Sequence, residues 1–158
     1  MTTNPDNFGQ RNSMTGSEQY LDASIRTATP ARLRLMLLDR SVEVAQRIAD
    51  CWKNGEAKGC NEHSLRLLDI LNELLGGITG AAIEAENKVC QQVADLYVFL
   101  TKHLILAEET SDYGAVEEIR TVLEVEAETW RAVCAQEAPA PRTSTVSAPV
   151  SGGLNFEA

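Results

Sequence analysis

The chain has 158 residues, of which 44% are hydrophobic and 5% aromatic, and its formal net charge is −9. A chain of this size can bury a core of its own, and its apolar residues are mostly Leu, Val, Ala and Ile, which favours helices. The acidic balance argues against nucleic acid or anionic membrane as a partner, because both attract clustered Lys and Arg.

One domain, residues 18–137, is expected between two tails. Residues 1–17 are polar and turn-rich and are expected to be a flexible tail. Residues 138–158 are rich in Pro, Ala, Ser, Thr and Gly, a composition typical of disorder. Near the end of this second tail, Leu154-Asn155-Phe156 is a short stretch with two large apolar residues. It is interpreted either as a docking motif or as part of an uninvolved tail.

The segment from Tyr20 to Ala28 is predicted to be extended and too short to fold by itself. Its apolar residues Tyr20, Leu21 and Ile25 allow two interpretations. The segment is either a permanently docked arm or a detachable strap that covers an apolar groove.

The first predicted helix runs from about Pro30 to Trp52 and carries apolar residues on more than one face. Thr29 is a good N-cap, Pro30 suits the first helical position, and Asn54-Gly55 would end the helix. A helix this apolar around its circumference is either central in a bundle or keeps part of its surface for a partner.

The second predicted helix begins between Glu56 and Asn61 and is expected to fray or bend at Gly76-Gly77, because glycine disfavours helix. A loop is expected from Thr79 to Glu86. The third helix is predicted from about Asn87 to Glu109.

A fourth helix is predicted after Thr110-Ser111-Asp112, whose side chains can cap it, and before Pro139. Four helices with short links predict an all-α, antiparallel up-down-up-down four-helix bundle. The first helix is rich in Arg and the fourth in Glu, which favours packing them side by side.

No motif for catalysis or metal binding is found in the sequence. Neither His63 nor His103 belongs to an ExxH pair, and HExxH, Walker A and GxGxxG motifs are missing. The four cysteines form no CxxC pair and are interpreted as reduced thiols. No signal peptide or membrane-spanning run is recognised, so a cytoplasmic protein without enzyme activity, cofactor, metal or membrane insertion is expected.

Four separated motifs, in the right order, resemble the FliS family of flagellin export chaperones. They lie at the first helix and in each of the following three: Tyr20 with Thr27-Ala28-Thr29-Pro30, Leu33, Met36-Leu37 and Asp39; Asn61-Glu62 and Ile70–Leu74; Leu96-Tyr97 with Leu104 and Ala107; and Asp112 with Trp130. The likeness covers about residues 18–134. Leu38 and Arg40 stand where the family usually has Tyr and Gly, and Glu108 replaces its usual Asn.

The resemblance implies a chaperone that binds the disordered C-terminal region of flagellin, prevents premature polymerisation and delivers flagellin to the flagellar type III export gate. The segment Tyr20–Ile25 is implied to contact the gate and to cover the flagellin site. Flagellin is expected to fold into helices on the apolar surface of the bundle, so the candidate contacts are apolar: Tyr20, Ile25, Leu33, Met36, Leu37, Leu67, Leu71, Tyr97 and Leu100.

The departures at Leu38 and Arg40 motivate an alternative, a structural or regulatory helical bundle that self-associates and has no export function. It would form a homodimer when no partner is bound. An unrecognised enzyme is a third alternative, and it would require a convergent polar pocket in the bundle.

Overall fold

A computed structural model describes residues 15–85 and 88–137 as five helices. They are α1 (Gly16–Thr27), α2 (Pro30–Lys53), α3 (Glu62–Ala85), α4 (Lys88–Thr110) and α5 (Tyr113–Gln136). Both α2 and α4 pack against α3 and against α5, which gives a closed bundle. The all-α prediction is confirmed, since these two ranges contain no strand.

The predicted ends of the long helices are largely confirmed. The Thr29 hydroxyl accepts a hydrogen bond from the amide of Arg32 at 3.3 Å. The Asp112 carboxylate accepts one from the amide of Ala115 at 3.1 Å. After α2, Gly55 has a positive φ of 75°, and the next amide, Glu56, donates back to the Cys51 carbonyl at 2.8 Å. This geometry ends a helix by satisfying carbonyls that its last turn leaves free.

The extended segment predicted from Tyr20 to Ala28 is wrong, because most of it lies in α1. The Thr15 amide donates to the Glu18 carboxylate at 2.7 Å, which satisfies a free donor at the start of the helix. Asp22 and Arg26 form an ion pair of 2.9 Å one turn apart. Only Ala28 and Thr29 are extended, and they link α1 to α2.

The loop predicted from Thr79 to Glu86 is also wrong up to Ala85, where α3 ends; Glu86 and Asn87 lie outside the described residues. Gly76 and Gly77 lie within this helix. Their low helix propensity costs about 1 kcal/mol each. Burial of Leu74 and Ile78 on either side of the pair opposes that cost through tertiary packing, which routinely overrides propensity.

The core lies between α2, α3, α4 and α5, and each of them contributes buried apolar side chains. The largest fully buried ones are Tyr97, Leu38, Ile48, Leu67, Leu71, Leu74, Leu100, Leu104, Ile119 and Leu123. Leu38, one of the departures from the family pattern, is therefore a core residue. Arg40, the other, lies at the surface and pairs with Glu43 at 2.8 Å.

The predicted packing of the Arg-rich helix beside the Glu-rich helix is confirmed, since α2 and α5 are neighbours. The expectation that Arg side chains of α2 pair with Glu side chains of α5 is wrong. Among the described residues, the ion pair between these helices joins Arg131 of α5 to Asp39 of α2 at 2.8 Å. Both side chains are about half exposed, so the pair is worth about 0–1 kcal/mol.

Candidate partner-binding groove

An apolar groove of about 470 Å³ opens at one end of the bundle. It lies beside the first two turns of α2, and it also takes in the later part of α3, the start of α4 and the last turns of α5. Apolar and small residues form most of its wall: Pro30, Ala31, Leu33, Arg34, Leu37, Glu73, Leu74, Gly77, Ile78, Cys90 and Trp130. Its volume is in the range of pockets that bind small ligands or a few side chains.

Leu33 and Leu37 form the α2 side of the groove. They are one helical turn apart, so their side chains lie one above the other on the same face. Both are half-buried, whereas Leu38 next to them is fully buried. The two leucines therefore present an apolar ridge that the bundle itself covers only in part.

Arg34 crosses the wall of the groove and connects α2 to the other three long helices. Its Nη1 donates to the Leu74 carbonyl of α3 at 3.1 Å. Its Cζ lies 5.1 Å from the ring centroid of Trp130 and 5.4 Å from that of Tyr97. Cations over aromatic faces are attracted by the ring quadrupole, so Arg34 is held in place beside the apolar surface.

Gly77 leaves one part of the α3 wall without a side chain. A Cβ placed on it would lie 3.8 Å from Nη1 of Arg34, an ordinary van der Waals distance. A Cβ on Gly76, which does not line the groove, would meet nothing within 4 Å. The two adjacent glycines thus differ in position, since a side chain on Gly77 would extend towards α2.

The structure places the nine candidate contacts in four environments. Leu33 and Leu37 line the groove. Met36 is half-buried in a separate, smaller depression between α2 and α5. Tyr20 and Ile25 lie on α1, with exposed fractions of 76% and 48%.

The remaining four candidates, Leu67, Leu71, Tyr97 and Leu100, are core residues with at most 1% exposure. They cannot touch a partner in this conformation, so their prediction as direct contacts is corrected. Apolar residues at helical spacing look alike in sequence whether they face the core or a groove. Burial raises the pKa of Tyr97, and its neutral hydroxyl donates to Glu126 at 3.2 Å.

Sequence reasoning missed the groove residues outside α2. Ile78 belongs to the predicted apolar stripe of the second helix, Gly77 to the point where that helix is expected to fray or bend, and Cys90 is predicted only as a reduced thiol. Trp130 is part of the resemblance to the family and is not predicted to line a site. A Trp near the end of an amphipathic helix is the signal that the sequence offers, because Trp is common at interfaces.

Helix α1 presents an apolar face to solvent. Tyr20, Leu21 and Ile25 are all exposed, and none of the residues in Gly16–Thr27 is buried. Exposed apolar side chains gathered on one helix are typical of a surface that meets another molecule or another part of the chain.

A second cleft, of about 480 Å³, lies between α2 and α5 and is polar. Its side chains include Asp39, Glu43, Glu124 and Glu128, and the Asp39–Arg131 ion pair crosses it. Within residues 15–85 and 88–137, no cluster of three or more His, Cys, Asp or Glu is arranged to hold a metal ion. The cleft is a solvated, charged surface between two helices.

No helix in the described part of the chain has the length and apolar character needed to cross a membrane. In comparisons with known proteins, the family model of the flagellar protein FliS matches residues 13–137. No curated protein matches the chain. The family match includes all five helices and every residue that lines the groove.

Proposed function

Because the chain belongs to the FliS family of flagellar proteins, which implies a flagellar export chaperone, we propose that it binds the disordered C-terminal segment of flagellin. Binding would keep flagellin from polymerising in the cytoplasm and would deliver it to the flagellar type III export apparatus. Flagellin is a filament subunit, so a chaperone that covers its assembly surface before export prevents growth in the wrong place.

The apolar groove is the observation that carries this proposal. Leu33 and Leu37 present a half-covered ridge, and Ile78 and Trp130 continue the apolar surface on the neighbouring helices. A segment that folds as it binds needs such a surface, because burial of its apolar face must offset the entropy that it loses on ordering.

The exposed face of α1 supports a further part of the same proposal. Tyr20, Leu21 and Ile25 remain uncovered, and the two-residue link Ala28-Thr29 joins α1 to the start of α2, where the groove begins. We expect this face to contact the export gate.

Calorimetry with a flagellin C-terminal peptide tests the proposal, with two leucine substitutions as a matched pair. Gly77→Leu puts a side chain into the groove wall, whereas Gly76→Leu adds the same side chain next to it but outside the groove. Both substitutions favour helix formation, since leucine has a higher helix propensity than glycine. We expect a one-to-one complex that Gly77→Leu weakens at least about 10-fold and Gly76→Leu changes less than about 2-fold.

Two results would contradict the proposal. One is an unmodified protein that binds no peptide at about 50 µM. The other is an equal effect of Gly77→Leu and Gly76→Leu, because then the groove would not be the binding surface. Circular dichroism and thermal unfolding of both variants would show that neither change disrupts the bundle.

A second candidate function, a self-associating bundle without export function, is favoured by one feature of α4. Five large apolar residues of this helix are exposed: Val89, Val98, Phe99, Ile105 and Leu106. Sedimentation velocity distinguishes the two functions. A dimer that Phe99→Glu dissociates and that flagellin peptide leaves intact would favour self-association.

A further inference from the structure

The chain leaves the described part of the bundle beside the groove. The Thr29 hydroxyl donates to the Glu137 carboxylate, the last described residue, at 2.9 Å. Thr29 caps α2, and Pro30, directly after it, lines the groove. Trp130, about two helical turns before Glu137, lines the same groove. Residues 138–158 therefore start at the edge of this site.

Two large apolar residues, Leu154 and Phe156, lie far along the segment 138–158. One residue separates them, so in an extended backbone their side chains point to the same side. Sixteen residues, 138–153, precede them. Extended, such a length spans up to about 55 Å, whereas the stretch of α2 from Pro30 to Leu37 is about 10 Å long. The length of chain is therefore ample for Leu154 and Phe156 to reach the groove.

We infer that Leu154 and Phe156 occupy the apolar groove of their own molecule and compete there with its partner. The groove offers Leu33, Leu37 and Trp130 as apolar contacts. The charged lining residues are one cation, Arg34, and one carboxylate, Glu73, so the fit rests on the apolar contacts and not on Glu157, the acidic residue next to Phe156. The competition rests on the proposed function, whereas occupation of the groove does not.

Because the segment is tethered to the bundle, even a weak contact is sufficient for it to occupy the groove. A segment joined by a short linker is present at an effective concentration on the order of 1 mM. If the tethered contact has a Kd of about 0.1–1 mM, it raises the apparent Kd of a competing guest about 2- to 10-fold. A guest that buries more surface still displaces the segment, so the groove would be covered when empty and accessible to flagellin.

Cys90 reports on groove occupation without any guest. It is a free, half-buried thiol in the groove wall, whereas Cys60 is a free, exposed thiol elsewhere. We compare alkylation rates at both, by peptide mass spectrometry, in the full chain and in Leu154→Ala/Phe156→Ala. The expected result is a rise of about 2- to 10-fold at Cys90 and no change at Cys60. Thr143→Ala/Thr145→Ala, in the same segment, is the matched control and is expected to change neither rate.

An unchanged Cys90 rate in Leu154→Ala/Phe156→Ala would overturn the inference. It would also be overturned if protection of Cys90 increased with protein concentration, because the occupant would then come from a second copy.

Guest binding is measured separately. If flagellin peptide binds Leu154→Ala/Phe156→Ala about 2- to 10-fold more tightly than the unmodified chain, competition is supported. Equal affinities overturn it. If neither protein binds the peptide, the proposed function fails, and the Cys90 rates alone then decide whether the segment occupies the groove.

Discussion

Leu33→Ala and Leu71→Ala are the same substitution at a groove residue and at a core residue, and we expect them to differ in their effects on stability and on binding. Leu71 is fully buried between the helices, so Leu71→Ala leaves a cavity and should lower the free energy of unfolding by about 2–5 kcal/mol. Leu33 is half-buried at an open surface, and water or neighbouring side chains can fill the space. We expect Leu33→Ala to cost about 1–2 kcal/mol or less.

Binding of a flagellin peptide should show the opposite order. Part of Leu33 is still exposed in the free protein, so a guest can bury the remainder and gains about 1–2 kcal/mol from it. Leu33→Ala should therefore raise the Kd about 5- to 30-fold. Leu71→Ala removes no surface that a guest can reach, and its Kd should stay within about 3-fold among the folded molecules.

Urea unfolding followed by circular dichroism gives the stabilities, and calorimetry at a temperature where both variants are folded gives the affinities. The assignment of Leu33 to the groove and Leu71 to the core is wrong if Leu71→Ala weakens binding as much as Leu33→Ala while both proteins are fully folded. It is also refuted if Leu33→Ala destabilises the bundle as much as Leu71→Ala, because Leu33 would then be a core residue.

Three further predictions concern stability. Gly76→Ala should stabilise the bundle by about 0.5–1 kcal/mol, because a methyl group there meets nothing and alanine favours helix; an equal or lower urea midpoint would contradict this. Arg34→Lys should cost about 1–2 kcal/mol in urea unfolding, since an ammonium cannot bond the Leu74 carbonyl and cover two rings together; an unchanged midpoint would show that charge alone suffices. The hydrogen bond from the Thr15 amide lowers the pKa of the Glu18 carboxyl below its ordinary value of 4.5. The ionised carboxylate therefore supports α1 at pH values above 4.5, and this support is lost as the pH falls through the lowered pKa. Chemical shifts of residues 16–20 should therefore lose helical character in acid, and Glu18→Gln, already lacking the charge, should show little pH dependence.

Helix positions in the bundle were largely predictable because they depend on local signals. Thr29 and Asp112 cap their helices through their own side chains, and a Gly with positive φ follows α2, so sequence carried the necessary information. The order of the helices, up-down-up-down, stays a prediction based on short links.

Helix α1 shows where local patterns were insufficient. Tyr20 and Ile25 favour strands by propensity, yet the bond between Thr15 and Glu18 and the Asp22–Arg26 pair support a helix. The sequence also could not show whether each apolar side chain faces the core or the groove. Leu71 in the core and Leu33 in the groove occupy similar places in their helical patterns, and only the packing of several helices decides which is covered.

The groove owes its existence to small residues in positions where a core would have large ones. Gly77 of α3 and Cys90 of α4 line the groove together with Leu33 and Leu37, and both are small. Arg34, held between Trp130 and Tyr97, stiffens this end of the bundle while leaving the leucines uncovered. Larger residues at Gly77 and Cys90 would complete the core and raise stability, since packed interiors have few voids. Retaining small residues there instead leaves apolar surface available, which is what a protein needs if a guest has to enter and leave without unfolding its host.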